Sequence, residues 1–160
     1  MSKLKIVIAD NESIIRMDLK EMLEEAGHEV VGECFNGLKA IELTQRLKPD
    51  LVIMDIKMPE MDGIHVLKQI RSNPEYDNVQ ILMLTSLTDS DSFKKCFEYG
   101  ADDCINKPIK DVEFFARFKA AAKTRNNALM LKEMFERIKK QNKDLKELNK
   151  TLKDTQFHMI

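Results

Sequence analysis

Neither sign of charge dominates this chain: 26 Lys and Arg stand against 27 Asp and Glu, for a net charge of −1. Without a basic excess there is no electrostatic drive toward nucleic acid or an anionic membrane, so neither is expected as a direct partner. No apolar run approaches the ~20 residues that a membrane-spanning helix needs. The N-terminus passes from Lys3 and Lys5 straight into a strand-like segment, with neither the apolar stretch nor the cleavage site of a signal peptide. Cysteine is scarce: Cys34, Cys96 and Cys104 are odd in number, scattered, and never in a C-x-x-C pair. That pattern argues for buried, reduced thiols in a cytoplasmic protein. His28, His65 and His158 stand alone, with no partners at metal or triad spacing. What 160 residues do allow is one domain with a real core plus an extension.

The informative stretch is LVIMDIKMPEMDG, starting at Leu51. Four apolar residues run into Asp55, which suits a parallel strand buried on both faces. Asp55 then sits at the strand's carboxyl end, where open parallel sheets place their chemistry. Met58-Pro59 and Met61-Asp62-Gly63 read as a turn and a helix start, with proline fixing φ and glycine tolerating positive φ. On such a shelf a carboxylate is a nucleophile, a metal ligand or a helix cap.

Four more strands and the helices between them follow from spacing. Leu4 to Ala9 is a first strand, closed by Asp10-Asn11-Glu12-Ser13. Ile14, Ile15, Leu19, Met22, Leu23 and Ala26 form a helical stripe ended by Gly27. Val30-Val31 marks the second strand. Asn36-Gly37 reads as a turn before a helix through Ala40, Ile41, Leu43 and Leu47 that Pro49 stops. Ile64, Leu67 and Ile70 mark a third helix. Val79 to Leu84 is a fourth strand ending at Thr85-Ser86, and Asp89-Ser90-Asp91 caps a fourth helix through Phe93, Cys96 and Phe97 up to Gly100. Asp103 to Asn106 is a short fifth strand before Lys107-Pro108. Alternation of this kind predicts an α/β sandwich doubly wound on a five-stranded parallel sheet. All carboxyl ends then lie on one edge, so Asp10, Asp55, Thr85 and Lys107 converge.

The pieces IVIADNESIIR, LVIMDIKMPEMDG, ILMLTS and NKPI resemble the receiver (CheY-like) domain of bacterial two-component response regulators, over about residues 3 to 122. The resemblance implies the flavodoxin-like strand order 2-1-3-4-5, for which a receiver protein is a standard example. It implies that Asp55 is the phosphoacceptor for a sensor histidine kinase or phosphotransfer protein. It further implies a Mg²⁺ held by the acidic cluster at Asp10 and Asn11, by Asp55 and by the backbone carbonyl of Lys57. Thr85 would contact the phosphoryl group, Lys107 would pair with its charge, and the Lys107-Pro108 peptide is expected to be cis. The physical logic agrees: a carboxylate can attack phosphorus to give an acyl phosphate, and the rest is positioning and charge neutralisation.

Two positions depart from the family pattern. The family has two consecutive acids after the first strand, and here the second is Asn11, with Glu12 one position further on and expected to point elsewhere. Losing a unit charge at ~4 Å removes about 4 kcal/mol of raw Coulomb energy at an effective dielectric of 20, largely offset by easier desolvation. Weaker metal binding is the expectation. Cys104 stands where the family often has a rotating Tyr or Phe switch, so switching is expected to run through Thr85 and the fourth helix. These departures keep open an alternative, a degenerate, non-phosphorylated receiver that serves only for dimerisation or docking. An aspartyl phosphatase of the haloacid-dehalogenase type is disfavoured, because Lys57 occupies the place of its second Asp, and no external substrate chemistry is expected.

From Asp111 the character changes. Val112, Phe114, Phe115 and Phe118 pack a fifth helix, and no Gly or Pro follows. Leu131, Ile138, Leu145, Leu152 and Met159 recur every seventh residue, with Met134, Gln141, Leu148 and Thr155 on the second seam. Residues 1–123 read as the receiver and 124–160 as a coiled coil forming a homodimer. The tail ELNKTLKDTQFHMI is similar to helices leading into histidine-kinase or diguanylate-cyclase modules, so an output module beyond Ile160 is expected.

Overall fold

The computed structural model describes residues 2–86 and 90–158. Five strands, β1 (Lys5–Ala9), β2 (Glu29–Cys34), β3 (Leu51–Asp55), β4 (Gln80–Ser86) and β5 (Asp103–Lys107), alternate with helices α1 (Ser13–Glu25), α2 (Gly37–Leu47), α3 (Gly63–Arg71), α4 (Ser90–Glu98) and α5 (Asp111–His158). The strands form one parallel sheet in the order β2-β1-β3-β4-β5. This is the flavodoxin-like order expected from the sequence, and every residue of β3 is buried. Asp89, expected to help cap α4, and Met159 of the heptad lie outside the described residues.

Alternation along each strand sends side chains to opposite faces, and the core accordingly splits in two. Val7, Val52, Met54, Ile81 and Met83 face α2, α3 and α4 through Leu43, Leu67 and Cys96. Ile6, Ile8, Ile53, Leu82 and Leu84 face α1 and α5 through Leu19, Leu23, Phe114 and Phe118.

Several local expectations need correction. Ile14 and Ala26 are exposed, although they were counted in the α1 stripe. The buried face of α1 is the narrow one through Ile15, Leu19, Met22 and Leu23, and at ~100° per residue Ile14 falls off it. Val112 is exposed for the same reason, at 86%. Asn36-Gly37 is a helix start: Asn36 Oδ1 accepts the Lys39 N–H at 2.8 Å and caps α2. Gly63 does not have a positive φ; the left-handed residue in that loop is Glu60, at φ 67°. Glycine is needed at 63 because a Cβ would run into the backbone oxygen of Asp55. The Lys107-Pro108 peptide is cis, as expected. The three cysteines are buried and form no disulfide among the described residues, and no helix among the described residues is long and apolar enough to cross a membrane.

By internal packing the chain divides into units Met1–Asn126 and Asn127–Ile160. In the second, the seam residues Leu131, Met134, Ile138, Leu145, Leu148 and Leu152 are all more than half exposed. In the first, two arginines unremarked in the sequence stitch loops together. Arg125 bonds Asp50 Oδ1 and the Asn78 carbonyl, while Asp50 Oδ2 accepts the Lys5 N–H. Arg71 donates to the carbonyls of Gly100, Tyr76 and Val79 and to Asp102, each at 2.8 Å. His28 is a buried acceptor from the Leu4 N–H, and burial lowers its pKa, so it belongs to the core.

The flat guanidinium fork of Arg71 cannot be reproduced by an ammonium. Arg71→Lys is therefore expected to cost about 2–4 kcal/mol by leaving carbonyls and Asp102 unpaired, read as a lower denaturant midpoint at unchanged m.

Candidate functional site

The carboxyl ends of β1, β3, β4 and β5 bring Asp10, Asp55, Thr85 and Lys107 to one edge, although up to 97 residues separate them (107 − 10). Asn11, Glu12, Asp55, Lys57, Thr85, Ser86, Ser92 and Lys107 line an open pocket of about 240 Å³ there. Lys107 is its electrostatic centre. Its Nζ lies 3.0 Å from Asp10 Oδ2, 3.1 Å from Asp55 Oδ2 and 3.4 Å from Glu12 Oε1. Burial alone would lower the Lys107 pKa, but Asp10 and Asp55 outweigh it and raise the value. The ammonium therefore persists at neutral pH, and its stabilising contribution is lost only as pH rises through that raised value.

Asp55 ends β3 and is buried with its strand. Burial raises its pKa and the neighbouring Asp10 raises it further, while Lys107 and the Lys57 N–H offset part of the shift. Asp10 is fully buried; its Oδ1 accepts the Glu12 N–H at 2.8 Å. Its Oδ2 forms an ion pair with the Lys107 ammonium at 3.0 Å and, among the described residues, accepts no further hydrogen bond. Thr85 is buried, its hydroxyl donating to the Ser86 carbonyl at 3.2 Å.

Backbone geometry holds Asp55 on its shelf. The Gly63 N–H donates to the Ile56 carbonyl at 2.7 Å, and the Ile56 N–H to Leu84 at 3.1 Å. Asp62 caps α3 by accepting the His65 N–H at 2.9 Å. Gly37 lets this loop settle on α2, because a Cβ there would strike the Met61 carbonyl.

One sequence expectation changes. Glu12 does not point elsewhere: the turn made by the Asp10 carboxylate swings it to Lys107 and into the pocket lining. Cys104 does not line the pocket. It is buried in the core that covers α4, with its thiol hydrogen-bonded to Cys96, and that bond together with burial pushes its pKa up. Ser92 of α4 also lines the pocket. Nothing in the sequence pattern pointed to it, since its place depends on how α4 packs on the sheet.

Because the folded-state pKa of Asp55 is raised, ionising it opposes folding. That penalty grows as pH rises from the ordinary carboxylate value through the raised one, and it is complete above it. Asp55→Asn is expected to be the more stable protein at pH 8, by on the order of 1 kcal/mol. The advantage should fade toward pH 4 in thermal melts. A less stable variant at pH 8 would mean that the Lys107 ion pair outweighs burial.

The family model described as response regulator receiver domain matches residues 6–119. The transcriptional regulatory protein PdtaR of Mycobacterium tuberculosis is 43% identical over 105 residues, covering 66% of this chain and 50% of PdtaR. The chain thus spans about half the length of that relative. The chemotaxis protein CheY of Thermotoga maritima is 38% identical over 107 residues, covering 66% of this chain and 87% of CheY. Among solved structures, the receiver domain of a signal transduction histidine kinase from Syntrophus aciditrophicus matches with a TM-score of 0.67 and 34% identity, covering 74% of this chain and 89% of that one. With this fold and this edge of acidic and basic groups, the chain belongs to the response regulator receiver domain family, the phosphorylation-signalling modules of two-component systems.

Proposed function

We propose that Asp55 accepts a phosphoryl group from a sensor histidine kinase or phosphotransfer protein, and that the chain signals through the resulting acyl phosphate. The observation that carries this reading is the contact of Asp55 Oδ2 with Lys107 beside buried Asp10. A carboxylate oxygen of Asp55 attacks phosphorus as the bond to the donor's histidine nitrogen breaks, and the departing imidazole keeps the electron pair. Lys107 offsets the charge on the phosphoryl oxygens, acting as a point charge. The Thr85 hydroxyl, which donates to the adjacent Ser86 carbonyl at 3.2 Å, turns to a phosphoryl oxygen. Cys104, sealed against Cys96 on α4, takes the place of a rotating aromatic by coupling β5 to that helix.

Receiver domains bind Mg²⁺ at this acidic site. The residues present suit it: among the described residues Asp10 Oδ2 is buried with the Lys107 ion pair but no hydrogen bond, and burial, helped by the nearby Asp10 charge, raises the pKa of Asp55. Asp10, Asp55, the Lys57 carbonyl and the Asn11 amide oxygen would hold the ion, water filling the remaining positions. When bound, Mg²⁺ neutralises phosphoryl charge. With Asn11 in place of an acid, the affinity is weaker than the family pattern would give.

The chain itself is a signalling module rather than an enzyme acting on external substrates. Residues 124–160 form a parallel coiled-coil homodimer that carries the state of Asp55 to a downstream module of histidine-kinase or diguanylate-cyclase type. Apolar seam residues more than half exposed in the single chain support this, since burying each contributes roughly 1.5–3 kcal/mol.

A small phosphodonor with Mg²⁺ should add a single acid-labile phosphoryl group, seen by mass spectrometry and lost in Asp55→Asn. Labelling that persists in the variant would remove Asp55 from its role, and an unlabelled wild type at high Mg²⁺ would favour the docking-only alternative. In sedimentation at micromolar concentrations the full chain should dimerise and Leu145→Asp should shift it to monomer. A monomeric wild type would rule out the coiled coil.

A further inference from the structure

The charges around Lys107 do not sum to zero. Asp10, Asp55 and Glu12 bring three carboxylates within 3.0, 3.1 and 3.4 Å of one ammonium. With one positive and three negative groups ionised, the cluster carries −2, the complement of a divalent cation. Asn11, between Asp10 and Glu12 and lining the same pocket, contributes no charge. The fully buried Asp10 Oδ2 has the Lys107 ion pair at 3.0 Å but, among the described residues, no further hydrogen bond, so it adds a hard oxygen that a cation would satisfy.

Glu12 is available for this work because the helix behind it makes no use of it. It occupies the N-cap position of α1, yet its side chain makes no capping hydrogen bond. A capping residue ordinarily accepts an N–H of the first helical turn. Here the Asp10 carboxylate takes the Glu12 N–H instead, and the Glu12 carboxylate turns toward Lys107.

We infer that Glu12 replaces, from one position further along the chain, the negative charge that Asn11 omits from the Mg²⁺ site. It does so as a positioning residue. Among the described residues no three acidic, His or Cys side chains are placed to ligate one ion together, so Glu12 works through Lys107. Its carboxylate, 3.4 Å from the Lys107 ammonium that also meets Asp10 at 3.0 Å and Asp55 at 3.1 Å, offers that ammonium a partner when an arriving cation takes Asp10 and Asp55. Because its side chain is 59% exposed, its charge is screened by water and salt, and its effect is moderate.

The inference rests on the metal reading proposed above, and one set of titrations separates the two. Calorimetric Mg²⁺ titrations would use the full chain as wild type, Glu12→Gln, Asn11→Asp and the double variant, with thermal melts to confirm an intact fold. Glu12→Gln should weaken binding about three- to tenfold, an effect that shrinks in high salt. Asn11→Asp should tighten binding, and the double variant should return close to the wild-type affinity because the charge is restored one residue earlier. If wild type binds Mg²⁺ and Glu12→Gln binds it equally well, the role of Glu12 is overturned and the metal site stands. A double variant that stays as weak as Glu12→Gln overturns it as well. If wild type shows no Mg²⁺ binding, the metal reading and the role of Glu12 fall together.

Discussion

Everything at the active edge depends on one ammonium held among carboxylates. Asp10 and Asp55 end adjacent strands, both buried, and burial together with the charge of Asp10 opposes the ionisation of Asp55. Lys107, arriving from β5 on the far side of β4, sets one ammonium 3.0 and 3.1 Å from these two carboxylates in a largely dry setting. The arrangement is costly to the fold and useful for chemistry for the same reason: a buried anion poorly compensated in the resting protein is ready to bind a cation or attack an electrophile.

The backbone around this cluster leaves little freedom. Gly63 and Gly37 are both sites of close approach, one against the Asp55 carbonyl and the other against the Met61 carbonyl. Together they fasten the loop between β3 and α3 to the sheet and to α2. The opposite edge is stitched differently, by the long donors of Arg71 and Arg125 reaching carbonyls at the starts of strands. One edge is thus fixed by absent side chains and the other by extended ones.

The link from pocket to surface runs through α4. Ser92 faces the pocket, Cys96 seals against Cys104 of β5, and Phe93 and Phe97 stack edge to face at the surface. A change in the Thr85 hydroxyl at the end of β4 therefore has a short packed route to an exposed aromatic pair. The switching proposed above relies on movement of this helix as a body, since the buried Cys104 thiol is too small to act as a turning ring.

The sequence by itself determined the strands, their parallel order of appearance and the strand-end residues Asp10, Asp55, Thr85 and Lys107. Unbroken apolar runs and turn residues are local signals, and a parallel sheet leaves only one edge for the carboxyl ends of its strands. Helix faces were read less sharply: Ile14 and Val112 match the apolar spacing yet lie outside the arc that meets the sheet, because spacing gives an angle around the helix and not the width of the contact. The tertiary structure alone decided the parts that depend on three-dimensional approach. Gly63 proved to be a matter of clearance from Asp55 rather than of φ. Arg71 became a hub because four acceptors from two segments, around Tyr76–Val79 and Gly100–Asp102, meet there. Glu12 entered the site because the Asp10 carboxylate bends the chain back by two residues. Contacts of this kind join residues whose sequence neighbours carry no record of the meeting, and only the packed sheet brings them within reach.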